Sequence, residues 1–123
     1  MAEVLLYNLR EGERRKKVKA LLFRFGIPSR DVRPEEQGLP LAALLGMGER
    51  ADTAAAAPPD SPFTEEMIVM HGLDGRQFHG FLDGMKAAGV RVGLKAVTTG
   101  QNLGWSSLRL HEELAEERRA LGR

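Results

Sequence analysis

The residues best placed to do chemistry in this chain lie between Lys95 and Trp105. Within that stretch a lysine inside an apolar run is followed by a threonine pair, an asparagine and the single tryptophan. Thr98, Thr99 and Asn102 would direct two hydroxyl groups and an amide toward one spot near the start of the last helix. A helix N-terminus carries unpaired N–H groups and a partial positive charge, and therefore attracts anions. The segment predicts a possible site for a small anionic ligand, bordered by Lys95.

The same corner also has a purely structural interpretation. Asn102 and Ser106 are both candidate N-caps of the last helix, because short polar side chains at that position accept hydrogen bonds from the first helical N–H groups. Trp105 would then fill the corner between sheet and helix, and the polar groups would satisfy one another. The sequence leaves both interpretations open, a ligand-binding corner and a closed one.

Two further polar residues lie near the ends of predicted strands. His71 belongs to the strand-like run Glu66–Leu73, and Asn8 to the run Glu3–Leu9. Parallel strands present functional groups at their carboxyl ends, so both side chains are predicted to border a site at the joint between the two halves of the chain. The three histidines lack the spacing of a helical metal site, and a chain without cysteine has no thiolate ligand. We therefore expect neither a metal nor a cofactor.

These residues are positioned by strands and helices that alternate along the chain. Residues 1–47 and 63–123 each begin with a strand-like run and continue into an amphipathic helix that ends at Gly26 or Gly89, an offset of 63 residues. Between them the Ala- and Pro-rich segment 48–62 is typical of a linker or mobile loop. We predict a single α/β domain of two βαβα halves. Their four strands would form a mostly parallel sheet in the order 2-1-3-4, covered by helices.

The third predicted helix carries small residues beside its core-facing stripe. Gly80, Gly84 and Ala88 recur at a spacing of four, and each glycine inside a helix costs about 1 kcal/mol relative to alanine. A close neighbour is therefore expected at this stripe, either another helix of the same chain or a second subunit. A four-stranded sheet also leaves two unpaired edges. The stripe and the edges together favour a homodimer.

Composition and charge favour an ordinary globular domain. The chain has 123 residues, 42% hydrophobic and 28% charged, with a net charge of +1. The basic run Arg14–Lys19 could contact phosphates, but it occupies the solvent side of an amphipathic helix without interleaved aromatic residues to stack bases. Nucleic acid is therefore not favoured as a partner. No apolar run approaches the roughly 20 residues that span a bilayer, so we expect no membrane association and a cytoplasmic location.

The second half of the chain is similar to a known family, the bacterial domain-of-unknown-function family numbered 3783. The residues that carry the resemblance are Leu94, Lys95, Ala96, Val97, Thr99, Asn102, Trp105, Leu110, Glu113, Leu114 and Glu117. The resemblance spans about residues 66 to 117, and Thr98 departs from it where an apolar residue is expected. The family has no established activity, so the resemblance implies no catalytic residue. It implies that the lysine, threonine, asparagine and tryptophan form the signature corner of the family.

The function favoured by the sequence is a non-enzymatic binding or regulatory module with a small anionic ligand or a protein partner. The first alternative is an enzyme acting on a small anionic substrate, with Lys95 as the charged anchor and His71 as the acid or base. The second alternative is RNA binding through the basic first helix, Arg14–Lys19.

Overall fold

Four strands and four α-helices alternate in the computed structural model, which describes residues 2–47 and 59–122. The strands are β1 (Glu3–Tyr7), β2 (Ser29–Val32), β3 (Met67–His71) and β4 (Leu94–Val97). The helices are α1 (Glu13–Arg24), α2 (Leu41–Leu44), α3 (Gly75–Ala87) and α4 (Ser107–Leu121), with short 3₁₀ turns at Pro34–Glu36 and Asn102–Gly104. None of these helices is both long enough and apolar enough to cross a membrane. Most of the predicted linker 48–62 lies outside the described residues.

The four strands form one sheet in the order β2-β1-β3-β4, as predicted. The pairs β1–β2 and β3–β4 are parallel. The central pair β1–β3 is antiparallel, with Tyr7 opposite Met67 and Glu3 opposite His71. The prediction of a mostly parallel sheet is confirmed, with one antiparallel pair at its centre. As a consequence, the carboxyl ends of β1 and β2 lie at one end of the sheet and those of β3 and β4 at the other.

Helices cover both faces of the sheet and enclose two hydrophobic clusters. Successive strand residues point to opposite faces, so Leu6 and Ile68 pack with α1 and α3, whereas Leu5 and Val69 pack with α2 and α4. The two central strands are buried on both faces, which explains why their sequences are almost continuously apolar.

Helices α1 and α3 approach each other closely at the glycine stripe. A Cβ atom added at Gly80 would lie 2.3 Å from the ring of Phe25, and one added at Gly84 would lie 2.5 Å from a methyl group of Leu21. Both distances are far shorter than van der Waals contact. The stripe that predicted a close neighbour is thus occupied by α1 of the same chain, and these two glycines are not free for a second subunit.

The ends of α1 and α3 follow the chemistry predicted from the sequence. The spacing of three between Asp74 and Gln77 predicts a capping box. The structure contains it: the Asp74 carboxylate accepts the N–H of Gln77 at 2.7 Å, and the Gln77 side chain accepts the N–H of Asp74 at 3.1 Å. Each helix is followed by a left-handed glycine, Gly26 with φ 66° and Gly89 with φ 74°. Only glycine adopts this conformation without steric cost, so the predicted helix ends are confirmed.

The sequence predicts a strand over residues 90–98 and a helix over residues 39–47, and both elements are shorter in the structure. The run 90–98 contributes only four residues to β4, because its partner strand begins at Met67, which lies opposite Leu94. Helix α2 is a single turn, and Gly46 follows it with φ 67°. Both elements have the predicted type, a strand and a helix. The length of β4 is limited by the start of β3, and α2 ends before the left-handed Gly46.

Candidate binding surfaces around β4

The corner that follows β4 is closed by its own hydrogen bonds. Asn102 is 8% exposed. Its amide oxygen accepts the N–H of Thr99 at 2.8 Å, and the Thr99 hydroxyl accepts the N–H of Asn102 at 3.0 Å. The Asn102 amide nitrogen donates to the Val97 carbonyl at 3.2 Å. The groups predicted to meet a ligand are therefore engaged with each other, and the spacing of three between threonine and asparagine is the sequence signal for this reciprocal pairing.

Trp105 and Ser106 connect this corner to helices on the same face of the sheet. The Ser106 hydroxyl accepts the N–H of Arg109 at 3.1 Å, so Ser106 is the N-cap of α4. Trp105 packs against the cluster under α4, with the Arg109 guanidinium 4.3 Å from its ring centroid. The Trp105 carbonyl accepts the N–H of Leu41 at 2.9 Å. Trp105 thus connects α4 to α2, two helices that are distant in sequence.

Lys95 lies apart from the corner. Its ammonium group donates to the Val92 carbonyl at 2.9 Å, just before β4 begins. The side chain lines a cleft of about 570 Å³ together with residues from the end of α3. Thr99 and Asn102 follow the other end of β4. The structure therefore does not bring Lys95 together with the polar groups that the sequence grouped with it.

His71 and Asn8 lie at opposite ends of the sheet, because β1 and β3 run antiparallel. Asn8 has a left-handed backbone, with φ 62°, and its amide donates to the carbonyls of Phe63 at 3.0 Å and Glu65 at 2.8 Å. It therefore holds the segment that leads into β3. The His71 Nδ1 atom lies 2.8 Å from the Thr98 hydroxyl. The structure thus unites His71 with Thr98 and separates both from Asn8.

The hydrogen bond between His71 and Thr98 lies beside an open cleft at the carboxyl ends of β3 and β4. The cleft has a volume of about 430 Å³ and is lined by Met70, Gly72, Leu73, Asp74, Gly75, Phe78, Val97 and Thr98. Most of these side chains are apolar, and the first turn of α3 forms one side. Ligands of open α/β sheets commonly bind outside the carboxyl ends of strands. This cleft has the size and lining to hold a small, mostly apolar molecule with one polar group near Thr98.

Titratable groups with clear pKa shifts lie outside this cleft. Hydrogen bonds from Arg118, and then from His111, hold the pKa of the Glu65 carboxyl below its ordinary value. Burial raises the pKa of the Tyr7 phenol, whose oxygen lies 2.6 Å from the hydroxyl oxygen of Ser107. These pairs connect segments that are distant in sequence and stabilise their packing.

The basic run of α1 is largely engaged within the chain. Its pairs are Arg14 with Glu66, Arg15 with Asp31, Lys17 with the Ala88 carbonyl, and Lys19 with the Ser29 hydroxyl. The hydrogen bond from Arg15 lowers the pKa of the Asp31 carboxyl. One exposed side chain on α1 was overlooked in the sequence: Phe23 is 89% exposed. The sequence signal that predicts its exposure is its position outside the helical stripe of core residues, which includes Val18 and Leu22.

In the part of the chain that the structure describes, the outer edge of β4 is an unpaired edge of the sheet. The Thr98 N–H donates to the Met70 carbonyl at 3.0 Å, which fixes the alternation of main-chain groups along the strand. The N–H and C=O of Lys95 and those of Val97 consequently point away from β3. The Val97 carbonyl accepts the amide of Asn102. The edge therefore presents the Lys95 N–H and C=O and the Val97 N–H to any partner.

Together these observations define an α/β domain with a mixed sheet, and with clefts and an open strand edge around β3 and β4. Residues 66–121 match the model of a domain of unknown function, DUF3783. The match confirms the resemblance found in the sequence and covers β3 through α4, including the closed corner, the cleft and the β4 edge. No match was found among curated proteins or among solved structures.

Proposed function

We propose that this chain is a non-enzymatic binding module whose small ligand occupies the cleft at the carboxyl ends of β3 and β4. The observation that carries the proposal is the hydrogen bond between His71 and Thr98 beside that cleft. An anionic group of the ligand would accept hydrogen bonds from the Thr98 hydroxyl and from the first N–H groups of α3. Asp74 places a carboxylate at the same helix start, so a single negative charge fits better than several.

The separation of Lys95 from His71 supports binding over catalysis. In the β3–β4 register Met70 lies opposite Val97, so His71 is level with the residue after Val97. Lys95 is three positions earlier, about 10 Å along the strand, and its ammonium group is turned toward the Val92 carbonyl. An acid or base must come within about 3 Å of the reacting atom. Lys95 as the anchor and His71 as the acid or base are therefore too far apart to contact the same small substrate.

A thermal-shift screen with carboxylated and phosphorylated metabolites tests the proposed ligand site. A ligand that binds the folded chain raises its melting temperature, and a carboxylate with an apolar body should give the largest rise. The rise should disappear in Thr98→Val, which removes the hydroxyl and keeps the shape. It should persist in the control Lys95→Ala, at the other end of β4. No shift from any compound, or a shift that survives Thr98→Val, would contradict the proposal.

RNA binding through α1 is a second candidate function, favoured by the exposure of Phe23. Lys16 and Lys19 precede it by seven and four positions, so the three side chains lie along one side of the helix. An aromatic ring beside cations can stack a base while the cations contact phosphates. The affinity for single-stranded RNA should then fall steeply with salt and weaken in Phe23→Ala. An affinity that does not depend on salt would end this alternative.

We also propose that residues 1–47 and 63–123 are two copies of one βαβα unit. Equivalent hydrogen bonds support it: the Ile27 N–H donates to the Leu22 carbonyl at 2.8 Å and the Val90 N–H to the Met85 carbonyl at 2.9 Å, at the offset of 63 residues. An experimental structure in which these turns do not superpose would contradict the repeat.

The proposed homodimer would use the outer edge of β2, the other edge strand of the sheet, since α1 covers Gly80 and Gly84. Unpaired main-chain groups at an edge are the usual route to such pairing. Sedimentation at high concentration tests it, and a mass of 13.6 kDa throughout would show that the chain is a monomer.

A further inference from the structure

The β4 edge is bordered by two clefts, and the one on the α3 face is cationic. This cleft has a volume of about 570 Å³. Lys86, Arg91 and Lys95 line it, with Asp83 as the acidic residue among the lining side chains. Its floor is apolar, since Leu82, Met85 and Val90 also line it. A side chain entering from the edge would therefore meet an excess of positive charge above an apolar base.

The cleft on the α4 face has a smaller excess of positive charge than the first cleft and a surface of leucine side chains. It has a volume of about 440 Å³ and lies between β4 and the last turns of α4. Leu94, Leu114 and Leu121 line it, and Leu121 is 84% exposed. Lys95, Glu117 and Arg118 also line it, and of these Arg118 is already hydrogen-bonded to Glu65 at 2.8 Å. This face of the edge therefore offers apolar surface that water now covers, and burying that surface would favour association.

We propose that the edge of β4 binds an extended segment of another protein in which acidic and apolar residues alternate. The main chain of the segment would pair with the N–H and C=O of Lys95 and with the N–H of Val97, adding a fifth strand to the sheet. Successive side chains of a strand point to opposite faces. Acidic side chains would therefore enter the cationic cleft, and the apolar side chains between them would enter the cleft beside α4.

Charge decides between this partner and a second copy of the chain. A symmetric antiparallel pair centred on Lys95 would place two lysines directly opposite each other, which is destabilising. A pair centred on Ala96 would need the Val97 carbonyl of both strands as an acceptor, and each of these oxygens would have to be shared with the Asn102 amide, which donates to it at 3.2 Å. A partner strand with a carboxylate opposite Lys95 meets neither obstacle. The edge thus disfavours its own copy and favours an acidic partner.

Fluorescence anisotropy with labelled synthetic peptides tests this inference on the full chain. The probe is a blocked hexapeptide that alternates glutamate with valine or leucine. One control has the same residues in two blocks, three glutamates and then three apolar residues, and a second control replaces glutamate by lysine. We expect the alternating peptide to bind about tenfold more tightly than either control, because only it matches both clefts. Equal binding of the block peptide would overturn the proposal, since it would show attraction by charge alone.

Variants of the edge complete the test. Lys95→Glu should weaken binding of the alternating peptide about tenfold by reversing the central charge. Val97→Pro removes an outward N–H and no hydrogen bond of the sheet, so it should also weaken binding while circular dichroism stays unchanged. Lys16→Glu on α1 reverses a charge that lines neither cleft and should leave binding as it is. Equal weakening by Lys16→Glu and Lys95→Glu, or slow amide exchange at Lys95 and Val97 before peptide is added, would overturn strand addition.

Discussion

Strand β4 and the loop that follows it differ in what their polar groups do. In the loop, Asn102 and Thr99 are hydrogen-bonded to each other, and Ser106 caps α4. In the strand, the N–H and C=O of Lys95 point away from β3, and a cleft borders this edge on each face of the sheet. The segment richer in polar side chains is therefore the closed one. Here a concentration of polar side chains belongs to a structural corner, and the surface proposed to bind another molecule is formed by main-chain groups at a strand edge.

The largest effect that separates the two regions is expected from Trp105→Ala. Deleting a large buried aromatic side chain costs about 3 to 5 kcal/mol, and Trp105 is only partly buried, so we expect about 3 kcal/mol. Urea denaturation measures this loss, and Trp105→Phe, which keeps part of the packing, is the matched control. A loss below about 1 kcal/mol would show that the corner does not stabilise the fold, and the contrast with β4 would fail.

A smaller loss is expected from Asn102→Ala. The change removes the acceptor of the Thr99 N–H, and the loss of one intramolecular hydrogen bond costs about 0.5 to 1.5 kcal/mol. It also frees the Val97 carbonyl, which removes one obstacle to self-pairing of β4. We therefore expect lower stability in urea together with a concentration-dependent mass in sedimentation. Stability lost without any gain in mass would mean that Asn102 does not protect the edge.

The smallest effect on stability is expected from Lys95→Ala. Its exposed ammonium group makes one hydrogen bond, to the Val92 carbonyl, and surface substitutions of this kind usually change stability by less than about 0.5 kcal/mol. The same variant should lose affinity for the alternating acidic peptide. A large loss of stability would show that Lys95 is structural and would weaken the distinction between corner and edge.

Local features of the fold could be predicted from the sequence, and the relation between its parts could not. The capping box at Asp74 and the left-handed Gly26 and Gly89 are set by neighbouring residues, so the pattern was sufficient to find them. The strand order was also predicted. The antiparallel direction of β1 and β3 depends on how the connection between them crosses the sheet, which no local pattern records.

That direction also decided how the candidate site residues were distributed. Asn8 and His71 both lie at carboxyl ends of strands, as predicted, but antiparallel pairing sends those ends to opposite sides of the molecule. The separation of Lys95 from Thr99 and Asn102 has a different cause, since the lysine ammonium group turns back toward Val92. The sequence spacing correctly placed Lys95 on a strand, with Thr99 and Asn102 in the loop that follows it. It could not predict the direction of the long lysine side chain.

The buried contact between Tyr7 and Ser107 determines when the ultraviolet absorption of this chain changes at high pH. Tyr7 is the only tyrosine, and burial raises the pKa of its phenol. The folded chain therefore keeps this phenol neutral at a pH near 10, where an exposed tyrosine ionises. Its contribution to stability is fully present below that pH and is lost as the pH rises toward the folded-state pKa. The ultraviolet absorption of tyrosinate will consequently appear only as the chain unfolds, so alkaline denaturation can be followed without any added label.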